Sequence, residues 1–204
     1  METAVADRSL RDVYARQAAN WDSQRGRQLF ERGWLQRVLA ATSEDDTVLD
    51  VGCGAGEPIA RYFIENRRKV CGVDFARPML DIAASRFPQE RWIESDMRAL
   101  DLGERFAALV AWDSFFHLTA DEQRSSIPRL CRHVRTGGPL LVTVGPRAGE
   151  AMGTVGGEAV YHASLSIEEY TTLFQAERFE VLDFKPSDPD CAGHSVLLAV
   201  SRQA

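Results

Sequence analysis

A short β-branched segment that ends in closely spaced glycines constrains the fold of this chain more than any other feature. Residues 47–51 have the composition of a buried parallel strand, and Gly52, Gly54 and Gly56 follow them directly. Pro58 then stands where the first turn of a helix accepts proline. This order predicts a strand, a tight turn and a helix, which is the opening unit of a parallel α/β sheet.

Strands and helices alternate beyond this unit. Further strands are predicted at residues 70–74, 91–93, 106–112 and 140–144, with apolar-faced helices between them. Two helices precede the first strand, a short one at about residues 9–19 and a second that carries Phe30, Trp34 and Val38 on one stripe. The pattern predicts a doubly wound α/β domain, with helices on both faces of a mostly parallel sheet.

The alternation changes after residue 144. Residues 145–162 begin with a glycine-rich, weakly patterned stretch and are predicted to be a substrate-side loop, since long loops are often functional lids. A helix through Tyr170 and Phe174 follows, then strands at 179–184 and 195–200. The connection between these two strands is too short for a crossover helix, so they are predicted to pair antiparallel.

Composition limits the class of protein. The 204 residues are enough for one domain spanning 1–204, in which the N-terminal helices within residues 1–40 form a possible cap. No apolar run reaches the length of a membrane span, and the polar N-terminus lacks the apolar core of a secretion signal, which predicts a cytoplasmic location. The net charge of −6 argues against a broad nucleic-acid surface.

Cysteine spacing gives no support for a metal or redox motif. The four cysteines are widely spread and form no Cys-x-x-Cys pair, so no metal site is expected and the thiols should be reduced in the cytoplasm.

The glycine turn differs from a dinucleotide fingerprint. Gly-x-Gly-x-x-Gly requires a glycine at position 57, where this chain has Glu57. A glutamate at the start of the helix also opposes a negatively charged pyrophosphate. Both points disfavour an NAD-linked oxidoreductase and leave a ligand without phosphates, or a tight turn without any ligand, as interpretations.

Acidic residues follow the next two predicted strands. Asp74 lies 18 residues beyond Gly56, close to the spacing of about 20 at which an acid accepts from ribose hydroxyls. A helix cap ahead of Pro78 is its competing role. Asp96 ends the third strand beside Met97, whose thioether could instead fill the core.

These residues resemble a known family. Residues 48–56, Val-Leu-Asp-Val-Gly-Cys-Gly-Ala-Gly, are similar to the first motif of class I S-adenosylmethionine-dependent methyltransferases, and the resemblance extends over roughly residues 21–200. It implies a seven-stranded Rossmann-like sheet with an antiparallel last strand. It also implies that Asp74 holds the ribose, that Asp96 contacts the adenine amino group and that Met97 lies against the adenine ring. The implied cofactor is S-adenosylmethionine, with S-adenosylhomocysteine as product, and the predicted cofactor-binding residues are Trp21, Asp50, Gly52, Cys53, Gly54, Asp74, Phe75, Met79, Asp96, Met97 and Trp112.

The substrate side is less constrained. Methyl transfer needs mainly alignment of the reacting atoms, so a dedicated base is optional. His117, after the fourth strand, is the best candidate for a catalytic base, with a pocket-lining role as its alternative, whereas His133 is predicted to be a surface cation near a helix end. The predicted substrate-binding residues are Tyr14, Phe115, Tyr161, His162 and His194.

The resemblance implies methyl transfer to a small molecule. The chain has no nucleic-acid motif and lacks the Asn/Asp-Pro-Pro-aromatic tetrapeptide typical of many amino-methylating enzymes on nucleic acids. Trp112, Phe115 and Phe116 predict a partly apolar substrate pocket. A methyltransferase-like module that binds cofactor without catalysis is the alternative function. The predicted state is a monomer or homodimer with no nucleic-acid or membrane partner.

Overall fold

The computed structural model describes residues 2–24 and 26–202, with side chains described from Leu10 onward. The strands are β1 Thr47–Val51, β2 Lys69–Asp74, β3 Arg91–Glu94, β4 Ala108–Ala111, β5 Pro139–Val144, β6 Gly149–Val155, β7 Glu158–Ser164, β8 Phe179–Asp188 and β9 His194–Ser201. The helices are α1 Glu2–Gln24, α2 Arg32–Ala40, α3 Ile59–Glu65, α4 Arg77–Arg86, α5 Ala120–Arg132 and α6 Ile167–Ala176.

Seven strands form the central sheet, in the order β3-β2-β1-β4-β5-β9-β8. The first five are parallel, and β9 pairs antiparallel with both β5 and β8. The predicted doubly wound sheet with an antiparallel last strand is therefore confirmed. The strand order reverses between β1 and β4, which is where ligands bind in open α/β sheets, beyond the carboxyl ends of the strands.

Both faces of the sheet are buried. Leu49 and Leu109 belong to one hydrophobic cluster, which also contains residues of α5 and α6, while Val48 and Val110 belong to a second cluster with residues of α2 and α3. Successive side chains of a strand point to opposite faces, so continuous apolar runs are expected where both faces are covered. This packing fixes the carboxyl ends of β1, β2 and β4 relative to each other.

The prediction of a loop at residues 145–162 is wrong. This segment forms most of a separate antiparallel hairpin of β6 and β7, joined at Gly156 and Gly157, whose φ angles are +57° and +83°. Positive φ at both turn residues matches the twist of paired strands, which favours a tight hairpin. Glycine and alanine along β6 hide the alternation by which a strand is recognised.

The prediction that His133 is a surface cation is also wrong. Its side chain is buried, its Nδ1–H donates to the Arg129 carbonyl at 2.7 Å, and its Nε2 accepts from the Leu102 backbone at 2.9 Å. One donor and one acceptor contact satisfy a neutral imidazole, so His133 joins α5 to the segment before β4.

Several element boundaries differ from prediction, and β8, for example, continues to Asp188 instead of ending at residue 184. The first helix is longer than residues 9–19, since α1 spans Glu2–Gln24. The fourth strand is shorter than residues 106–112, because Phe106 makes only an isolated bridge with Val134 before β4 begins. Phe30 lies just outside the second helix. No helix among the described residues has the length and apolar character needed to cross a membrane.

Candidate functional site

The glycine turn after β1 passes against the segment after β4. Gly52 has φ +77°, and a Cβ placed on it would lie 2.2 Å from the Cβ of Ser114. The Ser114 hydroxyl donates to the Val51 carbonyl at 2.8 Å. The close approach requires glycine at position 52 for both backbone conformation and space. Ser114 has no distinctive sequence signal, and its role depends on the pairing of β1 with β4.

Asp74, at the end of β2, binds the glycine turn. Its Oδ2 accepts from the Gly54 backbone at 2.9 Å, and its Oδ1 accepts from Ala76 at 2.8 Å. Ala76 precedes α4 without a side-chain cap, so Asp74 orders the approach to that helix rather than capping it in the predicted way. Burial raises the pKa of Asp74, and the two backbone donors oppose that shift.

A second buried carboxyl group lies in β1. Burial, together with the nearby charge of Asp74, raises the pKa of Asp50 to about 7. Burial also raises the pKa of the Tyr14 hydroxyl, with contributions from Asp113 and Asp74. Such shifts show that the space between these groups disfavours further negative charge. A cation bound there would favour the ionised carboxylates.

These groups line a cleft of about 780 Å³, counted with its open mouth, which we call the first cleft. Its lining contains the predicted residues Tyr14, Trp21, Asp50, Gly52, Cys53, Gly54, Asp74, Phe75, Met79, Met97, Trp112 and His117. The apolar members bring thioethers and aromatic rings next to the carboxylates, an arrangement suited to a ligand with a flat ring and polar hydroxyls.

Asp96 and Phe115 are among the predicted site residues that do not line the first cleft. Both carboxylate oxygens of Asp96 accept from the side chain of Arg98, two residues later. Phe115 is buried in the hydrophobic core behind the cleft. Phe115 and Phe116 lie in one short helical turn, so their side chains point in different directions. Phe115 packs into the core, whereas Phe116 lines a different cavity.

An ion-pair network closes one end of the first cleft. Glu57, with only 6% of its side chain exposed, pairs with Arg27 at 2.6 Å and with Arg61. Asp22 in α1 pairs with Arg86 in α4. These arginines neutralise Glu57, so the electrostatic argument against a pyrophosphate is weaker than the sequence indicates, although position 57 still lacks the fingerprint glycine.

A second cavity of about 1010 Å³, counted with its mouth, lies between the β6–β7 hairpin and the start of β9. His162 and His194, both predicted to bind substrate, line it together with Phe116. Tyr161 does not line either cavity with its side chain, and burial and Glu150 raise its pKa to about 12. The two cavities approach each other where the rings of His117 and His162 lie 4.9 Å apart.

His117 is held by two hydrogen bonds. Its Nδ1 contacts the Tyr161 carbonyl at 3.1 Å, and its Nε2 contacts the Tyr14 hydroxyl at 2.9 Å. Because a carbonyl only accepts, Nδ1 carries the proton and Nε2 accepts from Tyr14. Burial lowers the pKa of His117 to about 4, so the ring is neutral at physiological pH. With both nitrogens engaged, this geometry favours the lining role over that of a base.

A buried glutamine fixes the two segments that carry His117 and His162. The Nε2 of Gln123 donates to the Leu118 carbonyl at 2.9 Å and to the Ala163 carbonyl at 2.8 Å. Each acceptor follows one of the histidines in the chain, so a single amide sets the distance between them. The sequence shows Gln123 only as a polar residue within a helix, and no local signal distinguishes it.

A further contact joins the two cavities. The Nε2 of His194, in the second cavity, lies 2.9 Å from Oδ1 of Asp113, in the first cleft. The Asp113 backbone N–H donates to the Thr143 hydroxyl at 2.8 Å, which holds the residue at φ +50°. No local pattern in the sequence gives Asp113 a role of its own, since its contacts depend on the pairing of distant strands. Within the described part of the chain, no three His, Cys, Asp or Glu side chains are arranged to hold a metal ion.

Comparisons with known proteins agree with this architecture. A family model described as a methyltransferase domain matches residues 48–138. The dTDP-4-amino-2,3,4,6-tetradeoxy-D-glucose N,N-dimethyltransferase of Saccharopolyspora spinosa is 30% identical over 110 residues, covering 53% of this chain and 44% of that relative. Trans-aconitate 2-methyltransferase of Azoarcus sp. (strain BH72) is 34% identical over 116 residues, covering 52% of this chain and 42% of that relative. The chain thus spans less than half the length of these two curated relatives.

Solved structures share the whole fold. The 1,6-didemethyltoxoflavin-N1-methyltransferase of Burkholderia thailandensis, solved with 1,6-didemethyltoxoflavin and S-adenosylhomocysteine, superposes with a TM-score of 0.74. The match covers 99% of this chain and 90% of that chain at 21% sequence identity. At this identity the likeness concerns the fold alone.

Proposed function

We propose that this chain is a class I S-adenosylmethionine-dependent methyltransferase that transfers the methyl group of S-adenosylmethionine to a small-molecule acceptor, since residues 48–138 match a methyltransferase domain and the sheet has the expected strand order. The observation that carries this proposal is the glycine turn bound by Asp74 at the switch point of the sheet, with a second cavity directly beside it. A turn with no ligand would not need an acid-lined cleft above it.

The residues of the first cleft fit the cofactor. Asp74 would accept from the ribose hydroxyls, and Met79 and Met97 would lie beside the adenine ring. Asp50 and the backbone of the turn would face the methionine half, and Tyr14 and Trp21 from α1 would cover it. The buried carboxyl groups of Asp50 and Asp74 favour a cationic ligand, because burial raises the pKa of both and a nearby cation favours their ionised forms.

The bound cofactor supplies a methyl carbon made electrophilic by its sulfonium. The protein then needs to align the acceptor with that carbon and to exclude water. His117 and His162 lie where the first cleft and the second cavity approach each other, and together with the hairpin they would position the acceptor there. His117 would act by orienting Tyr14, since burial holds its pKa near 4. In this assignment Asp96 contacts adenine only after releasing part of its interaction with Arg98.

A small-molecule acceptor is supported by the size of the second cavity and by relatives that are named for an amino-sugar nucleotide and for trans-aconitate. A cytoplasmic location, the lack of nucleic-acid partners and a monomeric or homodimeric state stay predictions from the sequence.

Calorimetry with S-adenosylmethionine and a product assay together test the proposal. We expect saturable binding at micromolar to millimolar ligand and formation of S-adenosylhomocysteine with acceptors from a small-molecule panel. Failure to bind at millimolar concentration contradicts the proposal. Binding without turnover across the whole panel favours the alternative of a cofactor-binding module without catalysis.

The affinity for S-adenosylmethionine is expected to rise with pH and to level off above the pKa of Asp50, about 7. Below that pH the Asp50 carboxyl group is protonated in the free protein. A nearby cation lowers its pKa, so binding releases a proton and is weakened by up to about tenfold per pH unit as the pH falls. Calorimetry in buffers of different ionisation enthalpy measures this release.

S-Adenosylhomocysteine is the matched control ligand, because its thioether is uncharged and its pH slope should be smaller. Equal slopes for the two ligands, or a flat profile for both, contradict the proposed link between Asp50 and the sulfonium.

A further inference from the structure

The side chains of Asp113 and His194 meet where the two cavities approach each other. The Nε2 of His194 lies 2.9 Å from Oδ1 of Asp113, and its Nδ1 contacts the Cys191 carbonyl at 2.9 Å. Because a carbonyl oxygen only accepts, Nδ1 carries a proton.

This contact leaves Asp113 short of a donor. Its Oδ1 is buried and accepts no well-aligned hydrogen bond within the described part of the chain, although His194 Nε2 lies 2.9 Å away. The neighbouring Trp112 has a buried Nε1–H that likewise finds no acceptor among the described residues. Both residues line the first cleft. Buried polar groups without partners are costly, so these two point to a ligand that supplies them.

From this geometry we infer that Asp113 binds the nitrogen of an amine acceptor and that the small-molecule substrate is therefore a primary or secondary amine. The inference rests on the proposed methyl transfer and adds the acceptor atom and the residue that selects it. An N–H group supplies the donor that Asp113 Oδ1 lacks.

The charge balance of the reaction suits this site. A neutral amine uses its lone pair to form the new carbon–nitrogen bond, while the carbon–sulfur bond breaks and its electron pair stays on sulfur. The positive charge moves from sulfur to nitrogen, and the product ammonium later loses its proton to water. No base is needed in the transfer step. A carboxylate beside the nitrogen stabilises the charge that develops there, which is a contribution made mainly in the transition state.

Other acceptors fit the same groups less well. A carboxylate acceptor would place an anion beside Asp113 and near the buried acids Asp50 and Asp74. A hydroxyl acceptor is helped by a base, but both nitrogens of His117 are already engaged in hydrogen bonds. The other titratable groups that face this region are Tyr14 from α1, His162 from β7 and His194 from β9, with Arg147 and Glu150 also lining the second cavity.

The test uses Asp113→Asn in the full chain, with Asp121→Asn as the matched control, because Asp121 is 94% exposed on α5. Both are assayed with S-adenosylmethionine on three matched sets that share one skeleton each: benzylamine, benzyl alcohol and benzoate; cyclohexylamine, cyclohexanol and cyclohexanecarboxylate; glucosamine, glucose and glucuronate. We expect methylation of amines only, with kcat/KM lowered about 10- to 100-fold in Asp113→Asn and unchanged in the control.

One further measurement does not depend on turnover. The affinity for S-adenosylhomocysteine should stay within about twofold in Asp113→Asn, because the proposed contact is with the acceptor rather than with the cofactor.

Each remaining outcome has a definite meaning. Methylation of alcohols or carboxylates in preference to amines, or amine turnover unaffected by Asp113→Asn, overturns the inference and leaves the proposed function standing. A large loss of S-adenosylhomocysteine affinity would assign Asp113 to the cofactor and also overturn it. Cofactor binding with no methylation of any compound contradicts the proposed function and the inference together.

Discussion

Gly52→Ala is expected to lower the affinity for S-adenosylmethionine at least about 100-fold and to destabilise the fold by about 1–3 kcal/mol. The added Cβ would lie 2.2 Å from the Cβ of Ser114 and 2.6 Å from its hydroxyl oxygen, at a residue with φ +77°. The turn must then move away from the segment after β4. Calorimetry with S-adenosylhomocysteine and thermal unfolding measure the two effects.

Gly103→Ala is the matched control, since Gly103 has φ +66° but open space around the position of a Cβ. It isolates the cost of the backbone conformation and should leave cofactor binding intact. The double variant Gly52→Ala, Ser114→Gly removes the clashing side chain and should recover part of the stability. Full affinity in Gly52→Ala would show that the turn does not bind the cofactor.

Asp74→Ala should lower the affinity for S-adenosylmethionine about 100-fold. The change removes the proposed ribose acceptor and also the acceptor for the backbone N–H groups of Gly54 and Ala76. Charge-assisted hydrogen bonds of this kind each contribute about 1.5–3 kcal/mol. The Asp74→Asn variant keeps one acceptor oxygen but loses the charge. Its affinity for S-adenosylmethionine should therefore lie between those of the native protein and of Asp74→Ala.

Asp121→Ala serves as the control for general effects of losing a carboxylate, since Asp121 is exposed on α5. Stability should be measured in parallel, because loss of the two backbone contacts is expected to cost about 1–3 kcal/mol. If Asp74→Ala is folded and binds the cofactor as tightly as the native protein, Asp74 does not contribute to cofactor binding.

Much of the fold is predictable because its signals are local. A β-branched run such as Thr47–Val51, followed by glycines, specifies a strand and a turn without reference to the rest of the chain. The short connection before β9 likewise requires antiparallel pairing with β8. The β6–β7 hairpin was missed because its glycines and alanines carry no alternating hydrophobic pattern, although Gly156-Gly157 marks its turn.

The candidate site likewise contains residues that local sequence identifies and contacts that only the fold creates. Gly52, Gly54 and Asp74 are identifiable from spacing, and the structure joins the Asp74 carboxylate to the Gly54 backbone. Glu57 was recognised for its charge, but the arginines that neutralise it come from other segments. The position of Asp96 in the sequence motif was not enough to place it in the first cleft, because its carboxylate accepts from the side chain of Arg98 instead.

The glycine-rich turn, the parallel α/β order and the acids at the ends of β2 and β3 were determined by the sequence itself, because each depends on residues close together in the chain. Tertiary structure alone decided how Ser114 excludes a side chain at Gly52, how Gln123 spaces two histidines, and how Asp113 meets His194 between two cavities. These contacts join segments up to 81 residues apart, as between Asp113 and His194, so they depend on strand order and helix packing rather than on local pattern.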